Sequence, residues 1–337
     1  MKNILFILFG VLVIAGSCSN QEIDYPDFEY NAVYFPLQYP LRTLVLGDDR
    51  IDNSLDKELK FHIGAIIGGM YKNTDTWTVD YIVDTTLAVN LYNGKIQRIY
   101  ELPEEYYTMT PENTLTIPPG SFNGLIQIQL TDEFLDDPLA ITGQYVIPLR
   151  MTSTNADSML TGVPVVDEPS KIKSTDWEAS NQPKDFVLYG IKYINPLHGN
   201  YLHRGKDVTY NAENEIINEV VYSQPHVEKD QLWLLTTTGR YEVTTNGVGI
   251  NTGGRYKMKL IFDDSGNIQV EAISSSPIKA NGSGKYVEDG GEWGGQKHNA
   301  IFLEYTYLLG GNNHVVNDTL VFRDNGVKFE QNTIITF

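Results

Sequence analysis

Apolar and polar side chains alternate along much of the chain. Leu59, Phe61, Ile63 and Ala65 are interleaved with Lys60, His62 and Gly64. Trp77-Val79-Tyr81-Val83, Ile126-Ile128-Leu130 and Tyr145-Ile147-Leu149-Met151 repeat the period of two. That period sends successive side chains to opposite faces, so each run predicts a half-buried antiparallel strand. Tyr256-Met258-Leu260-Phe262, Ile268-Val270-Ala272 and Ile301-Leu303-Tyr305-Tyr307 predict further strands. Asp264-Ser265-Gly266-Asn267 stands between two of them and predicts a hairpin turn. Only Asp84 to Tyr92 predicts a short helix, capped by Asp84 or Thr85. Strands never alternate with helices, which argues against a doubly wound or barrel-type α/β enzyme, and no repeat of fixed period occurs. The predicted class is all-β.

Residues 154–184 are rich in Ser, Thr, Pro and Asp and lack strand periodicity, which marks a linker. The expected units are therefore 29–153 and 185–337, each of ordinary domain size. Ahead of them, Lys2 precedes an apolar run from Ile4 to Ala15 that ends at Gly16-Ser17-Cys18. About 20 apolar residues are needed to span a bilayer, so residues 1–17 predict a cleaved signal peptide. Cys18 is the only cysteine in the chain, and an acidic tether, 18–28, follows it. This arrangement resembles a bacterial lipobox, which implies lipid on Cys18 and a protein anchored to a membrane rather than embedded in it.

Longer segments carry a second resemblance. VYFP, RTLVLGDD, KFHIGAIIGGMYKNTDTWTVDYIVD and YVIPLRMTST resemble the immunoglobulin-like N-terminal domain of a Bacteroidetes lipoprotein family of unknown function. FVLYGIKYINPLHGNYLHRG, GSGKY, IFLEYTY and DTLVFRDNGVKFE resemble the domain that commonly follows it. The resemblance implies an immunoglobulin-like β-sandwich followed by a second antiparallel β domain, a lipocalin-like barrel or a sandwich. It also implies display on the outer membrane facing the exterior, glycan binding, and SusC/SusD-type outer-membrane proteins as partners. The alternative is a structural or adhesin-like lipoprotein that contacts proteins and binds no sugar.

Charge narrows the partners. Twenty-five Lys and Arg against 43 Asp and Glu give a net charge of −18, a field that repels phosphate backbones, so nucleic acid is not expected. A single cysteine excludes an internal disulfide framework and a multi-cysteine zinc site. No Gly-x-Ser-x-Gly elbow occurs, and no cofactor is implied. The acidic pairs Asp48-Asp49, Glu104-Glu105, Asp136-Asp137 and Asp263-Asp264 lie in turn-like contexts. Neighbouring carboxylates on a strand would point apart, so no catalytic pair is assigned and the chain is expected not to be an enzyme. His198 and His203, with Asp207 near, could meet across a bend, though loop histidines bonded to backbone are the commoner case. Asp48, Asp49, Asp52, Asn53 and Asp56 supply hard oxygens without the spacing of an EF-hand, and no metal is assigned.

A sugar site needs an aromatic platform beside amide and carboxylate groups. Trp77 and Trp233 fall in strand-like apolar runs and are expected in the core. Trp177 lies in the linker with no obvious interior to fill. Trp293, in the glycine-rich stretch 288–298, is the leading platform, with Glu292, Gln296 and His298 as its polar partners and Trp177 as the reserve.

Overall fold

The computed structural model describes residues 28–336. Cys18 and the signal peptide lie outside the described residues. The first unit runs through β1 (Ala32–Tyr34), β2 (Pro40–Val45), β3 (Lys60–Gly68), β4 (Trp77–Val83), β5 (Tyr107–Thr110), β6 (Thr114–Ile117), β7 (Asn123–Leu130), β8 (Tyr145–Thr154), β9 (Ser158–Met159) and β10 (Phe186–Ile194). One sheet has the order β9-β1-β3-β7-β5, and the facing sheet contains β2-β10-β8-β4-β6. In β3 the alternation works as the sequence requires: Phe61, Ile63, Ala65 and Ile67 are buried while Lys60, His62 and Gly64 are half-buried. They meet Tyr81, Ile147, Leu149 and Tyr193 from the other sheet in one core. The predicted helix at 84–92 is a single 3₁₀ turn, Thr85–Ala88, whose Asp84 cap accepts the Thr86 N–H at 3.2 Å.

The unit boundary falls later than the linker suggested. β10, given by the sequence to the second unit, pairs antiparallel with β8 and parallel with β2 inside the sandwich. Its run FVLYGIKYI does not alternate, because both its faces are covered. Val187, Ile191 and Tyr193 enter the main core. Phe186 and Leu188 enter a satellite cluster with Leu87, Leu91, Ile99 and Val146. A continuous apolar run is what a strand buried on both faces needs.

The second unit is a closed barrel. Its strands are β11 (Gly199–Tyr210), β12 (Ile216–Tyr222), β13 (Gln231–Gly239), β14 (Glu242–Thr245), β15 (Met258–Phe262), β16 (Asn267–Ala272), β17 (Asn281–Trp293), β18 (Gln296–Leu309) and β19 (Asn312–Asp324). From β13 to β19 each pairs with the next, and β19 pairs back along β11, closing eight strands. Strand β12 flanks the second half of β11 and stays outside the ring. Closure removes the sheet edges that an open meander would expose. The barrel's core includes Trp233, Leu235, Leu260, Leu303 and Tyr305. The turn predicted at 264–267 joins β15 to β16, where Asp263 accepts the Ser265 and Asn267 N–H groups at 2.9 Å and Gly266 takes a φ of +75°. After the barrel the chain returns to the sandwich. There β20 (Glu330–Gln331) pairs with the start of β2, and Glu330 meets Lys192 at 2.5 Å.

Candidate functional site

Trp293 ends β17, and Gly294-Gly295 turn the chain into β18 with φ of +59° and +73°. Two consecutive positive φ values suit the tight hairpin turn that follows the strand twist, and glycine reaches them without strain. Across the hairpin Trp293 faces Gln296 and Gly291 faces His298. Directly opposed residues share a face, so Trp293, Gln296 and His298 lie together. The indole is half-buried and fixed twice. Its Nε1 donates to the Phe322 carbonyl at 2.9 Å. Its ring stacks on His298, centroids 4.3 Å apart and planes 11° from parallel. The turn is held as well, because Gly294 N donates to Glu228 Oε1 at 3.1 Å.

These side chains line a cleft of about 960 Å³ between barrel and sandwich. The sandwich contributes the loop Asp48-Asp49-Arg50, and the start of the returning tail contributes Asn325 to Lys328. Asn299 donates to the Asp48 carboxylate, and Asn325 Nδ2 donates to the Asp48 carbonyl at 3.4 Å. Asn200 Nδ2 holds Asp324 Oδ1 at 2.7 Å. One braced ring thus stands beside amides, carboxylates and guanidinium groups. Such a surface can stack on the apolar face of a ring and hydrogen-bond its hydroxyls.

Two expected members are elsewhere. Glu292 does not line the cleft, although Lys297, directly opposite it across the hairpin, does. Trp177 is buried: its Nε1 donates to the Ser170 carbonyl at 2.8 Å, and Lys171 lies 5.2 Å from the ring centre. The segment around it folds back on itself and supplies the interior that a linker would lack. It is not an accessible platform. Sequence reasoning also missed Asn299, Arg323 and Asp324 as cleft residues; only their place beside Trp293 after barrel closure reveals them.

The other candidates are used within the fold. Asp56 is buried and binds Arg42 at 2.6 Å and Val45 N at 3.0 Å. Asn53 donates to the Val45 and Gly47 carbonyls, and Asp52 accepts from Ser54 N. The acidic run therefore orders its own loop. His198 and His203 do not converge. His198 Nδ1 accepts from Thr237 N at 3.0 Å, and burial, aided by Lys192, lowers its pKa to about 4. His203 is no loop residue; it lies inside the barrel, stacked 3.8 Å from Trp233, with Nε2 3.0 Å from Asp318. Asp318 also accepts from the Tyr222 and Tyr305 hydroxyls, and Asp207 from Tyr307 at 2.6 Å with His314 at 2.8 Å. Burial first, and these carboxylates second, push the Tyr222 and Tyr305 phenols well up. Tyr307 is raised in the same way by burial and Asp207. Trp77 is half-buried against the core, donating to Asn73 Oδ1 at 2.8 Å, and Trp233 is fully buried.

Residues 196–326 match a domain of unknown function (DUF5627), and 28–158 match the model of an N-terminal domain. A Bacteroides ovatus protein of unknown function, solved as a crystal structure, is 35% identical, with a TM-score of 0.83 over 92% of this chain and 100% of that one. A Bacteroides ovatus multidomain protein including DUF1735 is 15% identical over 90% of this chain and 100% of its own, with a TM-score of 0.43. An auxiliary nutrient binding protein from Bacteroides thetaiotaomicron is 14% identical over 77% of this chain and 82% of its own, with a TM-score of 0.34. Likenesses as distant as the last two carry no functional argument. No curated protein matches the chain.

Proposed function

This chain belongs to the family of that Bacteroides ovatus protein of unknown function, and from this premise we propose that it is a non-catalytic, surface-anchored glycan-binding protein. The observation that carries the reading is Trp293. A large ring, braced by His298 and by its bond to Phe322, borders a polar cleft instead of filling the barrel. Neutral sugars are recognised by such a pairing of one ring face with amide and carboxylate edges. The reading without a catalytic step is supported by the engagement of Asp136, Asp137 and Asp263 within the fold. Asp137 accepts from Tyr145 at 2.6 Å and Leu139 N at 2.7 Å, Asp136 meets Arg240 at 3.3 Å, and Asp263 closes its turn.

The anchor in this reading is lipid on Cys18, at the outer membrane, with a SusC/SusD-type uptake system as the partner. Replacing Cys18 by Ala is expected to move the protein from the membrane fraction to the soluble one; a mature Cys18→Ala protein still in the membrane fraction would overturn the anchor. For binding, the chain from Ser19 onward is run through native gels containing xylan, starch, α-mannan or mixed-linkage β-glucan. At least one should retard it, and Trp293→Ala should relieve the retardation. Equal mobility in every gel would remove glycan binding from the account.

A further inference from the structure

A second cleft, of about 660 Å³, lies on the other side of the 46–50 loop. Leu46 and Leu135 of the sandwich face Tyr241, Phe262 and Tyr286 of the barrel across it. Tyr241 is 38% exposed, yet it is braced. Phe262 meets it edge-on at 5.7 Å, and the Arg240 guanidinium lies 5.4 Å from its ring centre. Arg240 is itself fixed to the sandwich by Asp132 at 3.1 Å and Asp136 at 3.3 Å. Among the described residues neither the Tyr241 nor the Tyr286 hydroxyl has a hydrogen-bond partner, although Tyr286 is half-buried. A half-buried phenol without a partner leaves a donor and an acceptor for something that enters the cleft.

The charges choose among ligands. Arg240 is neutralised by its two aspartates, and the Asp263 carboxylate is committed to Ser265 and Asn267. That leaves Lys285 against Asp264 and Glu288, one cation beside two carboxylates, a small acidic surplus that disfavours an anion. Rings and free hydroxyls between charges of both signs suit an uncharged polyhydroxyl ligand. Strand β17 walls both clefts: Tyr286 and Glu288 line this one, Asp289 and Trp293 the other. At roughly 3.3 Å per strand residue, Tyr286 and Trp293 stand at most ~23 Å apart.

We propose that the Tyr241–Tyr286 cleft is a second sugar subsite, and that one extended glycan runs from it past the Asp48 loop to Trp293. The proposal rests on the glycan-binding reading above. Its test uses the chain from Ser19 onward with oligosaccharides of increasing length, cut from whichever of the four gel polysaccharides retards it, and titration calorimetry. Tyr241→Ala should weaken the longest oligosaccharide about tenfold or more, the loss of ~1.4 kcal/mol of contact, and leave the shortest nearly unchanged. Tyr286→Phe keeps the ring and the packing, so it reports on the hydroxyl even if Tyr241→Ala destabilises the barrel; it should weaken the long ligand severalfold. If both variants bind the long ligand as wild type does while Trp293→Ala weakens it, the second subsite is refuted and the first reading stands. If they weaken it and Trp293→Ala does not, the second subsite stands and the Trp293 site falls. A wild-type chain that binds none of the four polysaccharides refutes both.

Discussion

His198 accepts the Thr237 N–H through Nδ1, a bond open only to an imidazole whose Nδ1 carries no proton. Burial chiefly, and Lys192 next, hold its pKa near 4, below the ordinary histidine value of about 6.5. Below pH ~6.5 the unfolded chain therefore binds a proton that the folded chain refuses. Stability falls as pH drops from about 6.5 to about 4, by on the order of 2–3 kcal/mol. Urea unfolding at pH 7.5 and 4.5 should show this loss in wild type and a smaller one in His198→Gln. Parallel losses would clear His198 of the effect. At this scale the sequence was only partly legible. The apolar run that put Trp233 in the core was visible; the self-packing that buries Trp177 was not, because its partners Ser170 and Lys171 sit in a stretch without period. Glu292 was misplaced for a simpler reason. Strand alternation turns its side chain away from that of its neighbour Trp293, and it does not reach the cleft.

Among the elements, the alternating strands were readable because one of their faces is wet. β10 was not assigned correctly, because a strand covered on both faces loses its period and its partner strands cannot be read locally. The returning tail was illegible for a related reason: β20 pairs with β2 almost the whole chain away. Its physical role is testable. Ending the chain at Lys328 removes the β20–β2 pairing, the Glu330–Lys192 ion pair and the pairing of Ile335 with Tyr92. The ion pair is partly exposed and counts for little, so the total loss is about 1–2 kcal/mol. The melting temperature should fall by roughly 2–6 °C. An unchanged melting temperature would mean that the tail contributes nothing to the sandwich.

At the scale of the whole molecule, both clefts exist only because a barrel and a sandwich meet at the 46–50 loop. The first is completed by the tail that runs back between them. A sequence reading could find Trp293, Gln296 and His298, which are neighbours on one hairpin. It could not place Asp48 or Arg323 beside them, since those residues arrive through interdomain packing and barrel closure. The same assembly decides what Trp293 does. A ring that borders the cleft is separable from the fold, and a ring that plugs the barrel is not. Trp293→Ala, measured for melting and for affinity toward the retarding polysaccharide, separates these cases most directly. The account predicts melting within a few degrees of wild type and affinity weakened by about 5- to 150-fold, the equivalent of ~1–3 kcal/mol. A stability loss of about 3–5 kcal/mol with unchanged affinity would contradict it and return Trp293 to the core.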